Sequence, residues 1–456
     1  MKTHSATRTR VRILAFVAVA AVSGLVLSGC ASEQEASGGS GTTGKASYYK
    51  AAVAEAKSLA KGKKLESSIS MIGVNSGAEG QTLEQLYKAF TEGTGTAVNY
   101  TGTPDSNDIV QSRLQAGNPP DIADIQMGTA ASYAKEGKLM NLSKVMGSEL
   151  KQNFSQALLD DASVDGNVYG VYQGFSNFMF WYNPEAYTGP KDPTSWSQIT
   201  DWTDQQAAKG TPVWCAAQNA GASSGFPGAQ YIENIFLKEY GPELYRQWGE
   251  GTLAWTSPQV KNAFEQFGAI IGQNDKVSGG VAGILSTPIA TGYNGLSASP
   301  ATCQAVMWGS WVPGLIGSTA VPGKTIDFYR IPATNEKYQY DELFQSTTSV
   351  AFNDNATTQT FLKFVASTAA QSYLASLNRW PVANIHVPVS AYPSATLQKI
   401  AKTYFGNSPT ELQVGPNALA SAATSNAYYK GVVTYLHDPS TLDSVLQSIQ
   451  TASQRA

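Results

Sequence analysis

The stretch Gly93–Gly128 (GTGTAVNYTGTPDSNDIVQSRLQAGNPPDIADIQMG) constrains the fold of this 456-residue chain more than any other part. Ala97–Tyr100 is a short run of strand-forming residues that ends in the turn residues Gly102, Pro104 and Asp105. Ile109, Val110 and Leu114 then give a helix its buried stripe, Gly117 ends it, and Pro119-Pro120 breaks the chain before a second short strand, Asp121–Ile125. A β-turn-α-turn-β unit implies an α/β fold with a parallel strand pair and a right-handed crossover. Ligands of open α/β sheets sit beyond the carboxyl ends of such strands. The loops Thr101–Asp108 and Gln126–Thr129 are therefore candidate ligand loops.

The chain opens on a targeting segment, Met1–Gly29. Arg8, Arg10 and Arg12 make it basic, and Ile13–Leu27 is an apolar run of about 15 residues, too short to span a bilayer comfortably. Leu27-Ser28-Gly29-Cys30 resembles the bacterial lipobox, which implies that Cys30 becomes the lipidated first residue of the mature protein. The Gly/Ser-rich Ala31–Ser47 reads as a flexible tether, and Ala46–Lys64 as a short helix. Removing Met1–Gly29 takes away Lys2, Arg8, Arg10 and Arg12 and no acidic residue, so the 31 basic residues of the whole chain fall to 27 against 34 acidic ones, a net −7. A mildly acidic export product with dispersed charge argues against nucleic acid as a partner. With Cys30 assigned to the lipobox, Cys215 and Cys303 remain, and an exported chain with one pair suggests a disulfide; two free buried thiols are the alternative.

Further along, Leu65–Val74 reads as the first strand, and Asn75–Gln81 as a loop carrying Glu79. Leu83, Leu86, Tyr87 and Phe90 form a one-faced helical stripe. Asp165-Gly166 is a hairpin signal, and two strand-like runs after it, Val168–Tyr172 and Phe178–Tyr182, flank Gln173–Asn177. Ser257-Pro258 caps a helix whose core face is Val260, Ala263, Phe264, Phe267 and Ile271.

Several of these segments carry a resemblance. TGTAVNYTG followed by LQAGNPPDIAD is similar to the carbohydrate-binding branch of the extracellular solute-binding proteins of ABC importers, which read TG-x-V-x-Y and then AG-x-PPD. VDGNVYGVYQGFSNFMFWYNP resembles that family's DGK-x-YG-x-P…WYN, with Gln173 where proline is usual. The segment from Thr211 to Gly251, containing CAAQNAGASSGFPGAQYIEN, resembles C…G…SG-W-P…D-x-I-E, with Phe226 where tryptophan is usual. TCQAVMWGSW and FYRIP match further strands, so the resemblance spans nearly all of Leu65–Gln450. It implies a two-lobed periplasmic-binding-protein-like fold (type II, maltose-binding-protein-like) with a hinge and an interlobe cleft. Residues 65–174 and 340–367 would form lobe I, and 175–339 and 368–456 lobe II, after a signal peptide at 1–29 and a tether with a short helix at 30–64. It also implies capture of a sugar, a small oligosaccharide, and delivery to an ABC permease, by a monomer anchored on the outer face of the cell membrane. Position in matching loops or at strand ends assigns Glu79, Thr103, Asp105, Gln126, Phe175, Asn177, Phe226, Trp308, Trp311, Gln345 and Trp380 to the ligand.

The residues themselves favour a sugar. Aromatic side chains crowd predicted strand ends and loops, with Trp181, Trp214 and Phe226 beside Trp308, Trp311 and Trp380. Flat rings suit the C–H faces of sugars, while Asp, Asn, Gln and Glu bind hydroxyls. Any one tryptophan is as readily core. Two alternatives stand beside this reading. Gly221-Ala-Ser223-Ser-Gly225 matches a G-x-S-x-G nucleophile elbow, with His386 and His437 downstream, which would make the chain a surface-anchored serine hydrolase using Ser223. No oxyanion segment precedes it, and a Gly/Ser-rich helix start explains the same letters. A binding protein for an amino acid or polyamine is the other, disfavoured by the few charged residues in the candidate loops. No HExxH, CxxC, P-loop or dinucleotide motif occurs, so neither metal nor cofactor is expected.

Overall fold

A computed structural model of the chain describes residues 39–103, 105–404, 410–413, 415 and 420–455; the signal segment and Cys30 lie outside them. The first helix, α1 (Gly39–Ala60), is longer than expected and takes in half of the stretch read as tether. Packing, not propensity, sustains it. Ala52 and Ala56 are fully buried, and the Tyr49 ring meets Tyr373 edge-on at 5.1 Å. A Cβ on Gly93 would sit 2.6 Å from that of Ala56, so glycine there lets α1 close against the next helix.

That next helix, α2 (Gly77–Thr94), follows strand β1 (Ser68–Gly73) and buries Leu83, Leu86, Tyr87 and Phe90 as its stripe requires. Strand β2 (Ala97–Gly102), helix α3 (Ser106–Gln115) and strand β3 (Ile122–Ile125) complete the expected unit, and α4 (Met127–Lys135) follows it. β2 and β3 are not neighbours, however. β1 lies between them, parallel to both, with Ser68 opposite Ala97 and Met71 opposite Ile122. The reason is in the letters: Ile69, Met71 and Ile72 bury both faces of β1, which demands a central position, whereas β2 alternates half-buried and exposed residues and suits an edge. In α3, Val110 faces the sheet with Leu114 one turn on, and Ile109, rotated about 100° from Val110, is exposed.

A short hairpin, β4 (Ser163–Val164) and β5 (Asn167–Val168), turns at Asp165 and Gly166, both with positive φ (50° and 75°), as a two-residue type I′ turn needs. The chain then enters a second sheet at β6 (Ser176–Tyr182). There β7 (Ala305–Gly309) pairs one side of β6, while β8 (Asp327–Tyr329) and β9 (Asp341–Gln345) pair the other. Strand β10 (Thr348–Ala351) returns to the first sheet, antiparallel to β3, and β11 (Glu411–Gln413) adds to the outside of β9. The first sheet thus runs β10-β3-β1-β2. The chain is a two-lobed type II, maltose-binding-protein-like α/β structure. Two placements shift the expected lobe boundaries: β9 lies in the second sheet, so the return to the first begins at Thr348, and the helix Thr368–Ser376 packs against α2.

Between the sheets the chain crosses near residues 171–176 and 345–348, and residues 380–382 lie against the first crossing. The crossings are tied together. Val171 and Ser349 exchange backbone hydrogen bonds at 3.0 and 2.9 Å, and the Phe175 amide donates to the Pro381 carbonyl at 3.1 Å. The Ser346 hydroxyl donates to the Gly174 carbonyl.

In the second lobe, Trp181 and Trp214 are core residues whose indole N–H groups donate to the Gly309 carbonyl and the Thr203 hydroxyl at 3.0 and 3.1 Å. Cys215 and Cys303 form a disulfide with their Cα atoms 5.4 Å apart at a sequence separation of 88. Closing a loop of that length stabilises the fold by about 4–5 kcal/mol in the chain-entropy model. Replacing both cysteines with serine is expected to lower the unfolding free energy by about 2–4 kcal/mol, read by urea denaturation of the oxidised parent and the variant. Equal midpoints would show that the bridge adds nothing.

Candidate functional site

A cavity of about 400 Å³ lies over the two crossings, between the carboxyl ends of β1 and β3 on one side and the end of β7 on the other. That volume is within the range of small-molecule sites. Its first-lobe wall is Asn75 after β1, Glu79 and Leu83 of α2, and Asp124 and Gln126 at the end of β3. Its floor is the crossings themselves, Gln173 to Ser176, Gln345 to Thr347, and Ser349. Ser310 and Trp311 after β7 form the opposite wall, with Arg379 and Trp380 completing the lining where residues 380–382 lie against the first crossing.

The local sequence explains each placement. Gly174 is required by close approach, since a Cβ there would overlap the indole of Trp380 and come 2.9 Å from the Pro381 carbonyl. The half-buried Trp380 therefore packs closely against the first crossing. Trp311 is also half-buried, and its ring packs edge-on against Phe178 and Trp308 at 5.5 and 5.2 Å. Asn75 is held by the Tyr100 hydroxyl, which donates to its carbonyl at 2.8 Å.

Of the residues assigned from sequence, Glu79, Gln126, Phe175, Trp311, Gln345 and Trp380 line this cavity. The other five do not. Thr103 and Asp105 follow β2, one strand further out than β1, and serve the turn into α3, where Thr103 Oγ1 accepts from the Asp105 amide at 3.3 Å. Asn177 alternates with Ser176 along β6 and is fully buried on the other face. Phe226 begins the helix Phe226–Gly249 and packs on Trp308 and Tyr429. Trp308 is core, 1% exposed. It still reaches the cavity indirectly: its indole N–H donates to Gln230 Oε1 at 2.6 Å, and Gln230 Nε2 donates to Gln345 Oε1 at 2.5 Å. Trp308 thus fixes the face that Gln345 presents.

Asp124, Gln173, Ser349 and Arg379 went unassigned in sequence, though two gave a signal. Asp124 is a charge inside an apolar, fully buried strand, and Gln173 replaces the proline that the motif leads one to expect. The two are joined in the structure. Gln173 Nε2 donates to the Ser349 hydroxyl at 2.9 Å and to the Tyr87 hydroxyl at 3.1 Å, and the Ser349 hydroxyl donates to Asp124 Oδ1. Burial pushes the Asp124 carboxyl up to about 6, against the opposing pull of hydrogen bonds from Ser349 and Gln173. At the mouth, Arg379 and Glu79 approach to 3.9 Å. The cavity can hold a ligand by amides, hydroxyls and two flat rings.

The elbow motif has no such setting. Gly221–Ser223 is a single turn of 3₁₀ helix with Ser223 exposed. His386 is exposed with its ring against the Gln152 carbonyl at 2.9 Å, and His437 is exposed at a helix end. Among the described residues no hydrogen bond joins either histidine to Ser223, and no group of three or more His, Cys, Asp or Glu is placed to hold a metal ion. No helix of the described residues is long and apolar enough to cross a membrane.

Residues 75–372 match the family described as bacterial extracellular solute-binding proteins. The chain is 27% identical over 373 residues to the osmoprotective compounds-binding protein GgtB of Synechocystis sp., covering 81% of this chain and 88% of that protein. It is 24% identical over 398 residues to the alpha-glucosides-binding periplasmic protein AglE of Rhizobium meliloti, covering 84% and 86%. Among solved structures, the solute receptor AcbH, described as having an exclusive preference for β-D-galactopyranose, superposes with a TM-score of 0.71 at 17% identity, covering 85% of this chain and 97% of that one. A chitin oligosaccharide binding protein superposes with a TM-score of 0.70 at 19% identity, covering 85% and 98%.

The different settings of the tryptophans separate in stability. Trp308→Ala empties a packed core site and is expected to cost about 3–5 kcal/mol, whereas Trp380→Ala removes a half-buried ring and should cost about 2 kcal/mol or less. Urea unfolding of the two variants checks this. A larger loss at Trp380 than at Trp308 would contradict the placement.

Proposed function

Since the chain belongs to the bacterial extracellular solute-binding proteins, we propose that it captures a sugar or small oligosaccharide in this cavity and delivers it to the membrane subunits of an ABC importer. The composition of the wall carries this reading. Gln126, Gln173, Gln345, Asn75 and several hydroxyls offer both donors and acceptors, and Trp311 and Trp380 offer apolar faces, which is what a polyhydroxylated ring needs. The name of one relative, an alpha-glucosides-binding protein, supports the same class. An amino acid or polyamine fits less well, because the Arg379 guanidinium faces the Glu79 carboxylate across 3.9 Å.

Binding works without chemistry. The floor is built from the crossings, so a ligand that contacts both walls favours the closed arrangement of the lobes, which a permease can sense. No hydrolytic step is assigned to Ser223, which stands exposed outside the cavity wall. A single chain suffices for the site. We further infer that Cys30 carries a lipid that holds the protein on the outer face of the membrane.

A thermal-shift screen with maltose, trehalose, sucrose, raffinose, galactose and chitobiose tests the class. A sugar present at a hundred times its dissociation constant adds about 2.7 kcal/mol of stability; no shift with any of them would refute the sugar reading. Trp380→Ala should weaken the best of them ten- to a hundredfold, about 1–3 kcal/mol by analogy with aromatic stacking on bases, while Ser223→Ala leaves affinity unchanged. Ester or glycoside turnover lost in Ser223→Ala would restore the hydrolase. For the anchor, Cys30→Ser should move the protein from the membrane pellet to the supernatant, and continued pelleting would contradict it.

A further inference from the structure

We propose that Asp124 is the anchoring acceptor of the cavity, its carboxylate taking the hydrogen of a ligand hydroxyl in a geometry fixed by Gln173 and Ser349 of two chain crossings. This rests on the sugar reading and goes beyond it in naming the group that the ligand must satisfy.

Direction in the hydrogen-bond chain is the first argument. An amide N–H can only donate, so the bond from Gln173 Nε2 makes the Ser349 oxygen an acceptor and commits its own hydrogen to Asp124 Oδ1. Protons point toward the carboxylate from the floor, and Asp124 therefore stands as an acceptor. The second argument is compensation. Asp124 is 4% exposed, and no basic side chain among the described residues forms an ion pair with it. A buried carboxylate needs several donors to offset lost hydration, and the one that Ser349 gives to Oδ1 leaves room for further donors at a residue that is part of the cavity wall. A ligand hydroxyl supplies the missing donor. The third is space. Gly73, paired with Asp124 across the β1–β3 ladder, is a position where a Cβ would come 3.1 Å from that of Asp124 and 2.8 Å from the Tyr100 hydroxyl, so glycine keeps the approach to the carboxylate clear.

The arrangement predicts pH-dependent binding. With the cavity empty, burial holds the Asp124 carboxyl at about 6. A hydroxyl donated to the charged form lowers that value on binding. Below it, binding must expel a proton, so affinity is full above pH 6 and falls as pH drops through it, by up to about tenfold per pH unit. The tyrosines that face Asp124 stay protonated across this range. Tyr87 of α2 and Tyr100 of β2 are held protonated by burial and by the Asp124 charge itself, and Glu79 and Arg379 pair at the mouth.

The experiment is calorimetric titration of the wild type and Asp124→Asn with maltose, trehalose, sucrose and galactose at pH 8, 7, 6 and 5, with circular dichroism to check folding. Wild-type affinity is expected to change little from pH 8 to 7 and to weaken five- to tenfold between 6 and 5. Asp124→Asn should bind at least tenfold more weakly at pH 8, with a flat profile. Wild-type binding that is strong and flat from pH 8 to 5 overturns this proposal alone, and needs no variant. A folded Asp124→Asn that keeps wild-type affinity and slope overturns it too. Absence of binding of all four sugars to the wild type at pH 8 overturns the sugar reading and this inference with it.

Discussion

The bonded crossings between the two sheets are the constraint on which the rest depends. Two segments pass from one sheet to the other with residues 380–382 lying against them, and Val171 with Ser349, Phe175 with Pro381, and Ser346 with Gly174 tie the strands of chain side by side. Side chains projecting from such segments must line whatever space lies between the lobes. Gln173, Ser176, Gln345, Ser346 and Thr347 therefore line the cavity because of where the backbone crosses. The same segments bear on any motion of the lobes, so ligand contact and lobe position share one set of atoms. This is the physical basis for coupling capture to closure.

The crossings also explain why buried polarity is concentrated at one end of the first sheet. β1 is apolar on both faces and sits at the centre, and β3 beside it is buried along its length, yet it carries Asp124. A carboxyl there destabilises the empty protein. Its folded value is raised, so the stability it contributes is present at acid pH and is lost as pH rises through about 6. Such a residue is tolerated where the surroundings supply donors, and Ser349 does so from β10 directly opposite, its hydroxyl oriented by Gln173 of the first crossing.

Much of this was legible in the letters, in proportion to how local the cause is. The β-α-β unit, the stripe of α2, the Asp165-Gly166 turn and the Ser257 cap follow from residues close in sequence, and the structure has them all. The order of the strands was not legible, because the place of β1 between β2 and β3 depends on which strand buries both faces. Half of α1 read as tether because Gly and Ser dominate its start; the packing of Ala52 and Ala56 on distant helices decides otherwise. Within the site, residues after strand ends such as Gln126 and Trp311 were readable by position. Trp308 was misplaced by the same rule, since one residue decides which face of β7 a ring takes, and a tryptophan near a cleft has the same letter whether it stacks on a ligand or orients Gln345 through Gln230. Arg379 comes to the cavity only through the tertiary placement of its segment against the first crossing.

The central claim is that a sugar sits over the crossings, between Trp380 and the carboxyl ends of β1 and β3. A crystal structure of the protein grown with the sugar that stabilises it most tests this directly. The account predicts a sugar ring against the face of Trp380, with one hydroxyl within hydrogen-bond distance of Asp124 and others on Gln173 and Gln345. Density for the sugar outside this cavity, or inside it with Asp124 untouched and Trp380 facing solvent, would contradict it.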